Sequence, residues 1–135
     1  MNVLLIIVTL AFASFTAFAF IKAGWHKIQT PAAKLLEGGW GWVAKAPKGT
    51  TKFIGFAELL GGLGVILAPL AVTVFTFNWA LPLGIAAGAG LTLVMVLANI
   101  VHIARKEIKY TYKAGVMLLI VPLVTTILLA FYPTA

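Results

Sequence analysis

Cysteine is absent from this sequence, which excludes disulfides, thiol redox chemistry, thiolate metal sites and iron–sulfur clusters held by the chain itself. Any redox role would need an electron carrier from elsewhere. Acidic residues number three and histidines two. That leaves a metal site short of ligands unless Glu58 joins it, and no metal is expected. A bis-histidine haem would have to use His26 and His102, which share a side but lack any supporting motif spacing, so it is not expected either. Charge is scarce overall: 10% of residues are charged against 62% hydrophobic. A soluble protein of 135 residues with that balance would lack polar surface, so the composition indicates a membrane protein.

What charge there is has one sign and one place. The formal net charge is +7. The lysines sit in loops beside apolar spans, where anionic lipid headgroups are nearer partners than nucleic acid, which is not expected to bind. Four spans are predicted at about 3–22, 53–72, 81–104 and 114–132, in a single domain covering 1–135. The expected fold is all-α, a polytopic four-transmembrane-helix bundle. No Lys or Arg precedes the first span, whereas Lys22 and Lys27 follow its start, a polarity that fits a retained helix rather than a secretory signal. All ten Lys and Arg residues fall on the side of loops 23–52 and 104–113 or at its edge. The positive-inside rule makes both loops cytoplasmic and both termini external, in the cytoplasmic (inner) membrane. The first loop is too polar to span. Thr30 and Pro31 begin a short interfacial helix at AAKLLE that ends at Gly38 and Gly39, and Trp25, Trp40 and Trp42 suit headgroup depth. Thr50 and Thr51 read as a cap for the second span, and Pro69 and Pro122 as bends in the second and fourth.

One carboxyl lies inside a span. From Phe53 to Ala71, Glu58 is the only charged residue. At 100° per residue, Gly55, Ala57, Gly61, Gly62, Gly64 and Ala68 share its half of the helix, while Phe56, Leu59, Leu60, Leu63 and Leu67 take the other. The bulky half suits lipid and the small half suits other helices, so Glu58 should face the protein interior. A lone charge in hydrocarbon costs about 3 kcal/mol or more, so Glu58 must be paired, protonated or wet.

Partners for it gather on the same side. Glu58 lies about 7 to 8 Å from the cytoplasmic end of its helix at 1.5 Å per residue. His102 and Asn99 occupy the last turns of the third span at that level, and Lys22, His26 and Lys27 cap the first. Two stripes at alternating steps of four and three lead to this end: Ala13, Ala17, Phe20, Gly24 and Lys27, and Gly84, Gly88, Leu91, Met95, Ala98, His102 and Arg105. The sharp expectation is an interhelical polar pocket with Glu58 and His102 as its central pair and Asn99 at its rim, able to bind a polar ligand head or pass a proton. The plainer alternative is that Glu58 is neutralised by His102, Lys22, Lys27 or Lys52 and fixes helix register. Arg105 is a further supporting cation. No nucleophile, base and orienter can be assembled, so the chain is not expected to be a complete enzyme.

These residues resemble a known family, the DoxX-like membrane proteins. The likeness runs from FIKAGWHKI through GWVAKAPKGTTKFIGFAELLGGLGVILAP to LTLVMVLANIVHIARKE. It rests on Ala23, Gly24 and Lys27, on Lys52, Phe53, Ile54, Gly55, Glu58, Leu59, Leu60, Gly61 and Gly64, and on His102, Arg105 and Glu107. The segment Lys34 to Gly39 is less typical. The resemblance implies a four-helix membrane bundle. It also implies an association with thiosulfate oxidation, quinone reduction or membrane complexes that handle oxidative stress.

Three functions follow as expectations. The first is a small membrane protein whose interior polar site holds a lipophile, a quinone among the candidates, in support of a redox complex, with Glu58 meeting the ligand head, His102 as its partner and Asn99 orienting the site. The second is a structural or assembly subunit that docks another membrane protein or a second copy of itself. The third is a small-molecule transporter, weakened by an external half bare of polar groups apart from threonines such as Thr73, Thr76, Thr125 and Thr126.

Overall fold

The computed structural model describes residues 2–39 and 41–134. Its elements are α1 (Val3–Gln29), a short α2 (Ala32–Glu37), a 3-10 turn at Gly41–Lys45, α3 (Thr50–Phe75), α4 (Ala80–Ala104) and α5 (Ile108–Ala130). No strand occurs among the described residues. The four long helices are each long and apolar enough to cross a membrane. The protein is therefore an all-α, multi-pass membrane protein.

The helices are longer than the apolar runs that predict them, for reasons visible at their ends. α1 continues to Gln29 because nothing breaks a helix before Pro31, and Thr30 is already extended (φ −97°, ψ 124°) as the residue before a proline must be. At 27 residues it is about 40 Å long, so it emerges from a hydrocarbon core of about 30 Å. α5 starts at Ile108 rather than near 114 because IKYTYK contains no breaker either. α3 is preceded by Gly49 in a left-handed conformation (φ 87°). Thr50 and Thr51 therefore stand inside the helix instead of capping it, and Thr51 is buried. Pro69 and Pro122 both lie within continuous helices.

α1 packs on α3, α3 on α4, α4 on α5, and α5 closes back on α1. Residues near the end of α1 meet residues near the start of α3, so this pair is antiparallel, as are the pairs joined by the short 76–79 and 105–107 turns. The centre is filled by Ala17, Phe20, Val65, Leu91 and Leu129. Small residues let the backbones close around it: a Cβ on Gly61 would stand 2.6 Å from the Leu91 side chain, and one on Gly64 would stand 2.7 Å from Ala87. On α3 the two predicted halves separate for most residues, with Ala57, Leu59 and Gly64 half-buried between them. Gly55, Glu58, Gly61, Gly62 and Ala68 are buried, whereas Phe56, Leu60, Leu63 and Leu67 are exposed on the lipid side.

The 30–49 connection and the 105–107 turn, with the adjoining turns of α1, α3 and α5, carry every Lys and Arg and form the basic end of the bundle. Here α2 packs on the 3-10 turn, and Leu35 and Val43 are buried. Trp25 is exposed and Trp42 half-buried. Trp40 lies outside the described residues.

Candidate functional site

A close crossing in the bundle's basic half joins α1 and α3, and two glycines make it. A Cβ on Gly24 would lie 2.5 Å from the Gly55 carbonyl oxygen and 2.8 Å from the Leu59 nitrogen. One on Gly55 would lie 2.8 Å from the Gly24 carbonyl oxygen. The contact is reciprocal in a second way. Gly24 faces the Cβ of Glu58, and Gly55 faces the Cβ of Lys27. Each glycine thus clears the space that the other helix's charged residue needs.

The result is a nearly sealed ion pair. Lys27 Nζ stands 2.9 Å from Glu58 Oε1 and donates a 3.0 Å hydrogen bond to Oε2, so one ammonium spans both carboxylate oxygens. The two side chains are 12% and 5% exposed, which leaves water little access to either. Of the cations expected near Glu58, Lys27 is its partner. Lys22 instead lies over the Phe18 ring, 5.8 Å from its centroid, and Lys52 is exposed. In such a setting the pairing offsets desolvation only while both members are present.

His102 belongs to a different cluster. At the end of α4, Lys106 takes a left-handed conformation (φ 59°), and the chain turns back so that the Lys106 nitrogen donates to the Ile103 carbonyl and the Glu107 nitrogen to the His102 carbonyl, both at 3.0 Å. This Schellman arrangement folds Glu107 over His102. His102 Nδ1 is 2.7 Å from Glu107 Oε1, and since a carboxylate only accepts, Nδ1 carries the proton. Arg105 Nε approaches the same oxygen at 3.3 Å. The hydrogen bond from His102 and the nearby Arg105 charge hold the Glu107 carboxyl below its ordinary pKa. The Arg105 guanidinium also lies against Gly41, where a Cβ would stand 2.5 Å from Nη2, so this cluster touches the first loop as well.

Asn99 faces a third direction. Its Nδ2 donates to the Gly115 carbonyl of α5 at 3.2 Å, and its Oδ1 lies over Gly115 itself with no hydrogen-bond partner. Glu58, His102 and Asn99 therefore point to α1, to the α4–α5 turn and to α5 respectively. The geometry does not bring them into one pocket. A groove of about 360 Å³ does open between α3 and α4, but it is apolar, lined among others by Ala57, Ala86, Ala87 and Gly90, and it includes none of the three. Nor does any group of three His, Asp or Glu residues lie together among the described residues.

Two side-chain pairs lie in the opposite half. The hydroxyls of Thr16 and Thr125 meet at 2.9 Å between α1 and α5, each also within reach of a carbonyl one turn back in its own helix, and their two protons serve two of these three contacts at a time. Thr73 meets the Tyr132 hydroxyl at 2.5 Å.

Two features were not anticipated from the chain alone: the His102–Glu107 pair and the role of glycine in aligning Lys27 with Glu58. The second had a signal. Gly24-x-x-Lys27 and Gly55-x-x-Glu58 share one spacing on two helices with small faces.

The arrangement can be set beside known proteins. The model of the DoxX-like family matches residues 5–131. The chain belongs to the DoxX-like family. The match begins two residues into α1 and covers the rest of the four long helices and both basic connections. No curated protein and no solved structure matches the chain.

Proposed function

We propose that this DoxX-like protein is a non-catalytic accessory subunit of a membrane assembly, seated in the cytoplasmic membrane with its basic end inward and both termini outside. One observation carries the reading: both oxygens of the carboxyl buried within the spans are engaged by Lys27 inside a glycine-lined crossing. A group so occupied is a clamp between helices rather than a poised acid or base. The small-residue groove between α3 and α4 adds support, because such surfaces let another helix approach closely. The orientation rests on the placement of all ten cations.

A second reading keeps the buried pair as a binding site. A lipophile with a polar head, such as a quinone, would compete with Lys27 for Glu58, and the family resemblance supplies the redox context. The buried carboxylate favours this reading, whereas the engagement of both its oxygens by Lys27 weighs against it.

Mass spectrometry of the protein extracted with native lipid separates the two. The clamp reading expects a constant partner chain, kept when the charges are exchanged in a Lys27→Glu/Glu58→Lys variant that still folds. A stoichiometric quinone in the wild type, lost in that folded variant, would overturn it in favour of the ligand site.

A further inference from the structure

The outward face of α5 at the basic end carries a groove that plays no part in the clamp. It is lined by Tyr112, Lys113, Val116, Met117, Ile120 and Val121 and has a volume of about 460 Å³. These six residues form two ridges at steps of four, Tyr112–Val116–Ile120 and Lys113–Met117–Val121, and the groove is the furrow between them. Its two ends differ in chemistry. Towards the bundle centre the walls are wholly apolar and open to lipid, with Val116, Met117 and Ile120 each about half exposed. At the basic end stand the exposed Lys113 ammonium and the Tyr112 hydroxyl, and one turn further out Lys109 lies on the same face, its Nζ 5.0 Å from the Tyr110 ring centroid. The acid nearest in sequence, Glu107, is already held by His102 and Arg105.

An apolar furrow that begins at cations in the headgroup region fits one occupant in particular. We propose that this face of α5 binds an anionic phospholipid, its phosphate between Lys109 and Lys113 with the Tyr112 hydroxyl alongside, and one acyl chain in the furrow as far as Ile120. Charge decides the choice of occupant. A docking helix needs the apolar ridges but not two stacked lysines at one end, and a zwitterionic lipid gains little from them. The site is independent of the Lys27–Glu58 clamp, which lies on other helices.

The test is native mass spectrometry of the purified protein titrated with phosphatidylglycerol or with phosphatidylcholine of the same chains. One phosphatidylglycerol should bind per chain in preference to phosphatidylcholine. Each lysine beside an anionic headgroup is worth about fivefold in affinity, so Lys109→Gln/Lys113→Gln should weaken binding about 30-fold. A control with the same change of net charge on the first loop, Lys34→Gln/Lys48→Gln, should weaken it less than about threefold. Ile120→Trp, which fills the furrow and leaves both lysines, should also reduce binding. Equal affinity for the two lipids, equal losses in the two double variants, an unaffected Ile120→Trp, or a protein chain occupying the face in place of lipid would each overturn the proposal.

Discussion

Two acid–base pairs lie at the same end of this bundle, and they are built in opposite ways. Lys27–Glu58 joins residues 31 apart in sequence, on two helices, in a setting almost closed to water. His102–Glu107 joins residues 5 apart across one turn, and its side chains are about a quarter exposed. The first is made by tertiary packing and holds it in turn. The second is a product of local backbone geometry and would form wherever that turn forms. Distance alone would rank them the other way, since the exposed pair is the shorter; burial decides which one matters.

The contrast breaks most visibly at the buried pair. Glu58→Ala should destabilise the bundle by about 3–5 kcal/mol, because it strands the Lys27 ammonium in a desolvated site. Unfolding in detergent followed by circular dichroism would measure this. Next comes the packing that permits the pair. Gly24→Val puts a branched side chain against the Gly55 carbonyl and should cost about 3 kcal/mol, with both charges still present. If that variant were as stable as wild type, the close crossing would not be what aligns the pair.

On the exposed side the effects shrink and one changes sign. Lys106→Gly relieves a left-handed conformation that a lysine adopts at a cost, and should stabilise the protein by about 0.5–1 kcal/mol while preserving the turn. Thermal melting is sufficient to detect it. The smallest effect is expected for Glu107→Gln, a slight fall in melting temperature at neutral pH that high salt reduces further. Its pH dependence has a definite sign. The His102 hydrogen bond and the Arg105 charge hold the Glu107 carboxyl below its ordinary value, so its contribution is fully present above that ordinary value and is lost as pH falls through the folded pKa. The difference between wild type and Glu107→Gln should therefore vanish in acid, as the carboxyl takes up its proton.

The same division explains what could be read in the chain. Span number, the buried half of α3 and the concentration of cations at one end are periodic or compositional properties, and the sequence states them directly. That Glu58 needs a partner was also legible, since an isolated charge in hydrocarbon is costly. Which partner was not. Lys27, Lys22, Lys52 and His102 all reach the right level, and the choice depends on the rotation of each helix and on Gly24 and Gly55 meeting. His102 was drawn away by a turn that exists because Lys106 accepts a positive φ, a conformation that lysine does not announce. Asn99 faces Gly115, because the missing side chain there gives it room.

The most direct test of the clamp is a double-mutant cycle at Lys27 and Glu58, with Lys27→Met, Glu58→Leu and their combination measured by reversible unfolding. If the pair acts as a structural clamp, each single variant is strongly destabilised, and the double variant, having no stranded charge, recovers most of the loss. Single variants as stable as wild type, or a double variant whose loss equals the sum of the two, would contradict it.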